Sequence, residues 1–324
     1  MATYKEIKGT GVQNFSSDPA NPIAGQVWYN TTSGTLKLST GPEIGAWATG
    51  NSMNTSRFSL SGAGTQTAAL AFGGRPNSGP TTAVTESYNG TNWTEVNDLN
   101  AARKYFAGCG ANNTAALAVG GQGPSAPLTE TWNGTNWTEV NDLNLGRFSL
   151  AAAGTNTAAL AFGGQAADGN PTGPVATETW NGTSWTEVND LNTGRSNLGG
   201  AGTNTAALAF GGTPLFAATE SWNGTSWTEV NDLNTARAYF GSAGKTNTAA
   251  LAFGGNPAPT GQTESWNGTN WTEGSDLNTA RRYLAVGAVG TNTAALAFGG
   301  YTGSGTAITE EWSTTGGTQT ISTS

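Results

Sequence analysis

Residues 195–236 read RSNLGGAGTNTAALAFGGTPLFAATESWNGTSWTEVNDLNTA, and the chain carries this unit six times. Equivalent units begin at Arg57, Arg103, Arg147, Arg237 and Arg281. Each holds one Gly-Gly pair, as at Gly73-Gly74 and Gly211-Gly212, and the steps from pair to pair are 47, 43, 48, 43 and 45 residues. Self-similarity at such a period marks an array of supersecondary units that bury their apolar faces against one another. No apolar spacing of helical period interrupts it.

Four strands are expected per unit. The first follows the arginine, as in Tyr-Phe-Gly-Ser-Ala at 239–243. The second, Thr-Ala-Ala-Leu-Ala-Phe, ends on the glycine pair. Within it Ala206, Leu208 and Phe210 face one way and Ala207 and Ala209 the other. A strand that is apolar on both faces must be covered on both. Radially stacked sheets, the bulky face of one on the small face of the next, meet that demand. The third strand is Thr-Glu-Ser-Trp at 219–222 and the fourth Trp-Thr-Glu-Val at 227–230, joined by Asn-Gly-Thr-Ser. Asn-Gly is a strong hairpin signal because both residues tolerate positive φ. Trp222 and Trp227 flank the turn as a cross-strand pair worth about 0.2–1 kcal/mol. Tyr88 replaces the first tryptophan in the opening unit.

A Gly-Gly doublet closing the second strand, followed by two aromatics such as Trp222 and Trp227, resembles the kelch repeat, with a shorter loop between the aromatics. The resemblance covers residues 57–324 and implies an all-β fold: a kelch-like β-propeller of four-stranded antiparallel blades. Gly73, Gly74, Gly211, Gly212, Trp222, Trp227 and Arg237 then read as structural. The expected blades span about 57–102, 103–146, 147–194, 195–236, 237–280 and 281–324. Six blades are favoured because six first-and-second-strand units exist; a seventh built partly from 26–47 is the alternative. The sixth unit degenerates after Trp312. Its missing outer strand could come from the tail at 318–323. It could also come from the segment running from Trp47 to Arg57, which matches the Trp-to-Arg part of the repeat with Met53 at the leucine position.

Residues 1–46 form a separate N-terminal segment, with the propeller at 47–324. Its stretch GQVWYNTTSGTLKL, residues 25–38, reads as a β-hairpin. That stretch resembles segments of bacteriophage tail-fibre and other virion appendage proteins, which implies a small attachment or packing module.

Differences among the copies are informative. From the third-strand Glu to the next Arg the gap is always 17 residues, whereas the loop after the glycine pair holds 10, 7, 12, 6, 7 and 8 residues. In a four-stranded meander this loop and the blade-to-blade link emerge on one face, so that face is variable and the hairpin face nearly constant. Loops on a rigid scaffold commonly carry binding, though surface loops also simply tolerate drift. The ligand candidates are Arg75, Lys104, Phe216, Arg282 and Tyr301, with Tyr105, Tyr239 and Tyr283 also readable as core.

The chain has no histidine, which removes the usual base, the usual metal ligand and Ser-His or Cys-His nucleophiles. A non-enzymatic role with no cofactor is expected. A recurring carboxylate, Asp98, Asp142, Asp190, Asp232 and Asp276, could serve Ca²⁺, but Asp at a turn more often bonds its own backbone. Asn-Gly-Thr also matches a glycosylation sequon at Asn89, Asn133, Asn181, Asn223 and Asn267, which the turn requirement already explains. Cys109, the single cysteine, reads as a small buried hydrophobe. Net charge −8 and no basic stripe argue against nucleic acid. No apolar run spans a membrane and the start lacks a secretory signal. The expected role is a virion component, alone or as a homo-oligomer, that binds a host-surface glycan or protein or a neighbouring virion protein. The alternatives are a cytoplasmic kelch-like scaffold for protein partners and, third, a carboxylate-dependent carbohydrate-active enzyme.

Overall fold

The two-faced second strand packs as its pattern demands. In the computed structural model, Leu208 and Phe210 of one sheet lie against Ala250, Ala252, Trp266 and Trp271 of the next. Ala207 and Ala209, on the other face, lie against Leu160 and Phe162 of the preceding sheet. The structure describes residues 12–17, 26–39, 44–123, 126–167, 175–285, 287, 289–315 and 318–320. These contain no α-helix, and no helix long and apolar enough to cross a membrane. Contacts divide the chain into two units, Ala46–Ser313 and Met1–Gly45 with Thr314–Ser324.

The larger unit is a ring of repeat sheets. In the fourth repeat the strands are Gly199–Gly202, Ala207–Phe210, Thr219–Trp222 and Trp227–Val230, antiparallel and in chain order. The first, second, third and fifth repeats build the same four-stranded sheet. Contacts between neighbouring blades run in a closed cycle through the inner strands Ser61–Thr65, Ala107–Asn112, Ala151–Gly154, Gly199–Gly202 and Gly241–Thr246, then through Ala294–Phe298 of the sixth repeat back to Ser61–Thr65. In the sixth repeat Gly290 stands next to the axis: it bridges Ala295 of the second strand, accepts the Gly244 N–H of the fifth blade at 3.3 Å and donates to the Gly64 carbonyl of the first at 3.1 Å. Six apolar clusters, one per interface, fill the gaps between neighbouring sheets. This is a β-propeller.

Closure falls to the N-terminal segment. The sixth sheet orders Ala294–Phe298, Thr309–Thr315 and Ile44–Gly50. Trp47 takes the place of the fourth-strand tryptophan. In every blade that residue donates its indole N–H to a third-strand threonine of the preceding blade. Trp227 reaches Thr177 at 3.2 Å, Trp271 reaches Thr219 at 3.1 Å, and Trp47 reaches Thr263 at 3.0 Å. The tail does not supply the strand. Thr318–Thr320 pairs with Thr35–Ser39 in the smaller unit.

The glycine pair is an inter-blade lock. A Cβ on Gly211 would lie 2.7 Å from the Phe240 ring and 2.8 Å from the Arg237 carbonyl of the next blade, and its φ is +65°. Its neighbour Gly212 donates its N–H to that carbonyl at 2.8 Å. The same bond recurs around the ring, from Gly74 to Arg103 and finally from Gly300 to Arg57.

The repeat arginine is buried and paired within its own blade. Arg237 Nη2 donates to Glu264 Oε1 at 2.6 Å, and its Nη1 donates to the Gln262 carbonyl at 2.7 Å. Arg57–Glu86, Arg103–Glu130, Arg147–Glu178, Arg195–Glu220 and Arg281–Glu310 are equivalent. The second carboxylate oxygen accepts from the preceding link, as Glu264 Oε2 does from the Asn234 N–H at 2.7 Å. The motif Asn-x-x-Arg thus seats the link on the blade it introduces.

The hairpin turn differs from the expected form. It is a four-residue loop in which only the glycine is left-handed, as at Gly224 with φ 93°. Asn223 instead accepts the N–H of Thr225 and Ser226 on its side-chain oxygen, both at 2.9 Å. The asparagine therefore acts through its Asx geometry rather than its backbone tolerance.

In the smaller unit, Val27–Asn30 and Thr35–Ser39 form the expected hairpin, with Gln13–Phe15 added in parallel. Asn30 Oδ1 caps the turn by accepting the N–H of Thr32 and Ser33. Residues 26–39 belong to this sheet and not to a blade of the ring.

Candidate functional site

The residue two positions after each repeat arginine leaves the strand pattern. The inner strand of the fifth blade is Gly241–Thr246, so it starts two residues later than 239–243 implies. Tyr239 precedes it in the left-handed region at φ 59°. The same holds at Ser59, Tyr105, Ser149, Asn197 and Tyr283, with φ between 54° and 57°. That conformation costs a non-glycine residue roughly 1–2 kcal/mol.

What holds it is a closed belt of backbone bonds. Tyr105 donates its N–H to Ser59 O, Ser149 to Tyr105 O, Asn197 to Ser149 O, Tyr239 to Asn197 O, Tyr283 to Tyr239 O and Ser59 to Tyr283 O, at 2.7–3.1 Å. These six residues ring the axis and line a cavity of about 20 Å³, room for roughly one water. Beneath them lie Leu60, Phe106, Leu150, Leu198, Phe240 and Leu284, all buried. Such strain persists because the surrounding structure holds it.

Around the belt sits a second circle. The residue one position after the arginine pairs its backbone with the first residue of the variable loop. Phe58 pairs with Arg75, Phe148 with Gln165, Ser196 with Thr213, Ala238 with Asn256 and Arg282 with Tyr301. In the second blade Gln122 donates to Lys104 O at 3.0 Å. The backbone is the same in every blade while the side chains differ. Variable loops and blade-to-blade links do share this face, since Leu233 of the link donates to Ala217 O of the loop at 3.0 Å.

Four of the five ligand candidates fall in these circles, on the first, second and sixth blades. Arg282 lies over two tyrosines, its guanidinium carbon 5.2 Å from the Tyr283 ring and 5.5 Å from the Tyr301 ring. Tyr301 meets Phe58 at 5.3 Å, and Tyr283 meets Tyr239 at 4.6 Å and Tyr105 at 6.2 Å. Lys104 lies over Tyr105 at 5.4 Å. Partial burial, and then repulsion from Arg75, pushes the Lys104 ammonium below the ordinary lysine range. Phe216 stands apart, on the fourth-blade loop, where its carbonyl accepts from the Arg237 N–H. Phe58, Asn197 and Asn256 were not among the sequence candidates. The signal that finds Phe58 and Asn197 is the pair of columns one and two residues after the repeat arginine, where the copies disagree inside an otherwise constant stretch; Asn256 opens the fifth variable loop, directly after its glycine pair.

The axis below is closed by Lys245. It leaves the inner strand of the fifth blade and donates from Nζ to the Gly110 carbonyl of the second blade, opposite it in the ring, at 3.0 Å. Burial lowers this ammonium to about 8 and raises the adjacent Cys109 thiol to about 12. Cys109 is a buried free thiol. A lysine whose folded value lies below its unfolded one binds fewer protons when folded, so its contribution to stability rises between about pH 8 and 10.5. Wild type should therefore gain stability relative to Lys245→Met across that window in urea melts; a flat difference refutes the burial of the charge.

Among the described residues no group of three His, Cys, Asp or Glu could hold a metal ion. The recurring aspartates sit singly. Asp98, Asp142, Asp190 and Asp232 each accept the backbone N–H that opens their blade's third strand, at 3.0–3.2 Å. Asp276 holds the corresponding sequence position in the fifth repeat. No family model and no curated protein matches the chain.

Proposed function

We propose that this protein is a non-enzymatic binding propeller of kelch-like type, and that its axial mouth contacts a host-surface ligand or a neighbouring virion protein. The observation that carries the reading is the arrangement of the variable residues. Positions at which near-identical repeats disagree are collected in two concentric circles on one mouth, each on a backbone fixed by hydrogen bonds. A rigid frame presenting variable side chains is the arrangement binding sites favour. The smaller unit serves as the attachment module. Its hairpin spans the GQVWYNTTSGTLKL stretch that resembles phage tail-fibre segments, and so the protein belongs to a virion appendage or decoration.

Binding of labelled protein to an array of bacterial surface glycans and whole cells tests this. Capture should fall at least about tenfold in Tyr283→Ala/Tyr301→Ala, a loss in the range of an aromatic anchor. It should be unchanged in Asn133→Ala/Asn181→Ala on the opposite, hairpin face. The reverse pattern, or equal capture by all three proteins, would overturn the assignment of the face.

A further inference from the structure

Three of the larger unit's cations gather at the mouth. The larger unit has ten lysines and arginines, and six are the buried arginines of the Arg–Glu pairs. Of the other four, Lys245 is on the axis, and Arg75, Lys104 and Arg282 are at the mouth. In a chain of net charge −8 that is a local inversion of sign. Among the described residues no carboxylate lines the axial cavity, or the groove between the fourth and fifth blades.

That groove has about 320 Å³ of room and is lined by Thr213, Pro214, Leu215, Tyr239, Asn256 and Pro257, with Ala238 at its floor. Its volume falls at the small end of the ~300–1,000 Å³ usual for small-ligand sites. It is chemically divided. Tyr239, Pro214, Leu215 and Pro257 give flat or apolar surface. Thr213 is tied to the Asn197 amide at 3.1 Å, and Asn256 Oδ1 accepts from Arg282 Nη1 at 3.0 Å. Arg282 thus borders the groove through Asn256 and packs over two tyrosines. A guanidinium seated there pairs with an oxyanion by charge-assisted hydrogen bonds.

We infer that this groove binds a sugar ring bearing a carboxylate, with the acid group at Arg282 and the C–H face of the ring on Tyr239 and the prolines. The cations select the charge. The apolar wall selects a ring. Thr213 and Asn256, with Asn197 behind, match hydroxyl groups. Electrostatic complementarity from Lys104 and Arg75 adds to association speed more than to strength. This rests on the binding reading of the mouth and names its ligand class.

Calorimetric titration of the full chain with N-acetylneuraminic acid, glucuronic acid, N-acetylglucosamine and glucose tests it. At least one acidic sugar should bind saturably, and its neutral counterpart roughly tenfold or more weakly, as losing a charged hydrogen bond implies. The two acids distinguish sialic from uronic sources. Arg282→Gln should weaken the acid about tenfold or more and leave the neutral sugar unchanged; Tyr239→Ala should weaken both. Glu139→Gln, on the exposed outer strand of the second blade, should change neither, and thermal melts of the variants report whether the fold is kept. Absence of saturable binding by both acids, equal binding of acid and neutral sugar, or an unchanged titration in Arg282→Gln would overturn the inference. If that happens while Tyr283→Ala/Tyr301→Ala still abolishes surface capture, the ligand class is wrong and the binding mouth stands. If capture is also insensitive, both fall.

Discussion

Arg237→Ala is expected to lower the unfolding free energy by about 3–5 kcal/mol, the range for removing one partner of a buried ion pair. The guanidinium and carboxylate are almost fully enclosed, at side-chain exposures of 1% and 2%. Burial pulls this arginine below its ordinary value despite the opposing pull of Glu264, so desolvation is the larger force on it. The pair is therefore costly to keep charged and more costly to halve. Alanine leaves Glu264 as an uncompensated buried anion and leaves the Gln262 carbonyl without its 2.7 Å donor. Glu264→Gln should cost less than Arg237→Ala. Its amide oxygen can still accept from the Asn234 N–H that now meets Glu264 at 2.7 Å. Urea melts of the two variants decide the matter. A loss under about 1 kcal/mol for Arg237→Ala would mean that the pair does not hold the link to the blade.

Trp47→Ala is the second large effect, at about 3–5 kcal/mol for deleting a buried tryptophan. Trp47 is 7% exposed, packs edge-on against Phe253 at 4.9 Å, lies 5.3 Å from Trp312, and donates to Thr263. Asn278 Nδ2 also donates to its carbonyl at 3.0 Å. The loss is local in contacts but not in consequence. In a linear array each repeat has a neighbour on each side and the ends are capped. In this ring the sixth blade takes its outer strand from the start of the chain, so Trp47, seated between the fifth and sixth blades, ties the segment leading into the first blade to the last. Differential scanning calorimetry should show a fall in midpoint of roughly 6–20 °C, from about 2–4 °C per kcal/mol in a large domain. Trp227→Ala, the same substitution inside a covalently continuous blade, is the comparison. A smaller fall for Trp47→Ala than for Trp227→Ala would show that the clasp is dispensable.

Much of this fold is legible in the sequence because its causes are local or repeated. The alternation of Leu208 and Phe210 with Ala207 and Ala209 states that both faces are buried and that one is bulky. The glycine pair, the paired tryptophans and the constant arginine mark the strand ends. Three features are not legible, each for a physical reason. Tyr239-Phe240 reads as strand because aromatics favour pleated surfaces. Tyr239 is left-handed because it bonds across an interface to Asn197, a residue 42 positions away, and propensity cannot see that partner. The tail and the N-terminal segment are comparable candidates for the last outer strand. What separates them is Trp47, whose indole must find Thr263 and whose ring must find Phe253. The mouth itself was half visible. Arg75, Lys104, Arg282 and Tyr301 stand out as departures from the repeat. Phe58, Asn197 and Asn256 do not, because singly each is an ordinary residue, and only the ring places them beside the others.

The belt has a sense of rotation. Every N–H in it points to the preceding blade, every fourth-strand indole N–H does likewise, and the N–H of the second glycine of each pair points to the following one. Each blade thus meets its neighbours through two unlike surfaces, front to back, as subunits do in a cyclic head-to-tail oligomer. In such an assembly the angle across one contact fixes how many members close, and the peptide links only string them together. The blade count is therefore a property of the interface. A chain with one repeat fewer or more would not make a tighter or wider ring of the same kind. It would leave one front and one back surface unmated, ready to find those of another molecule.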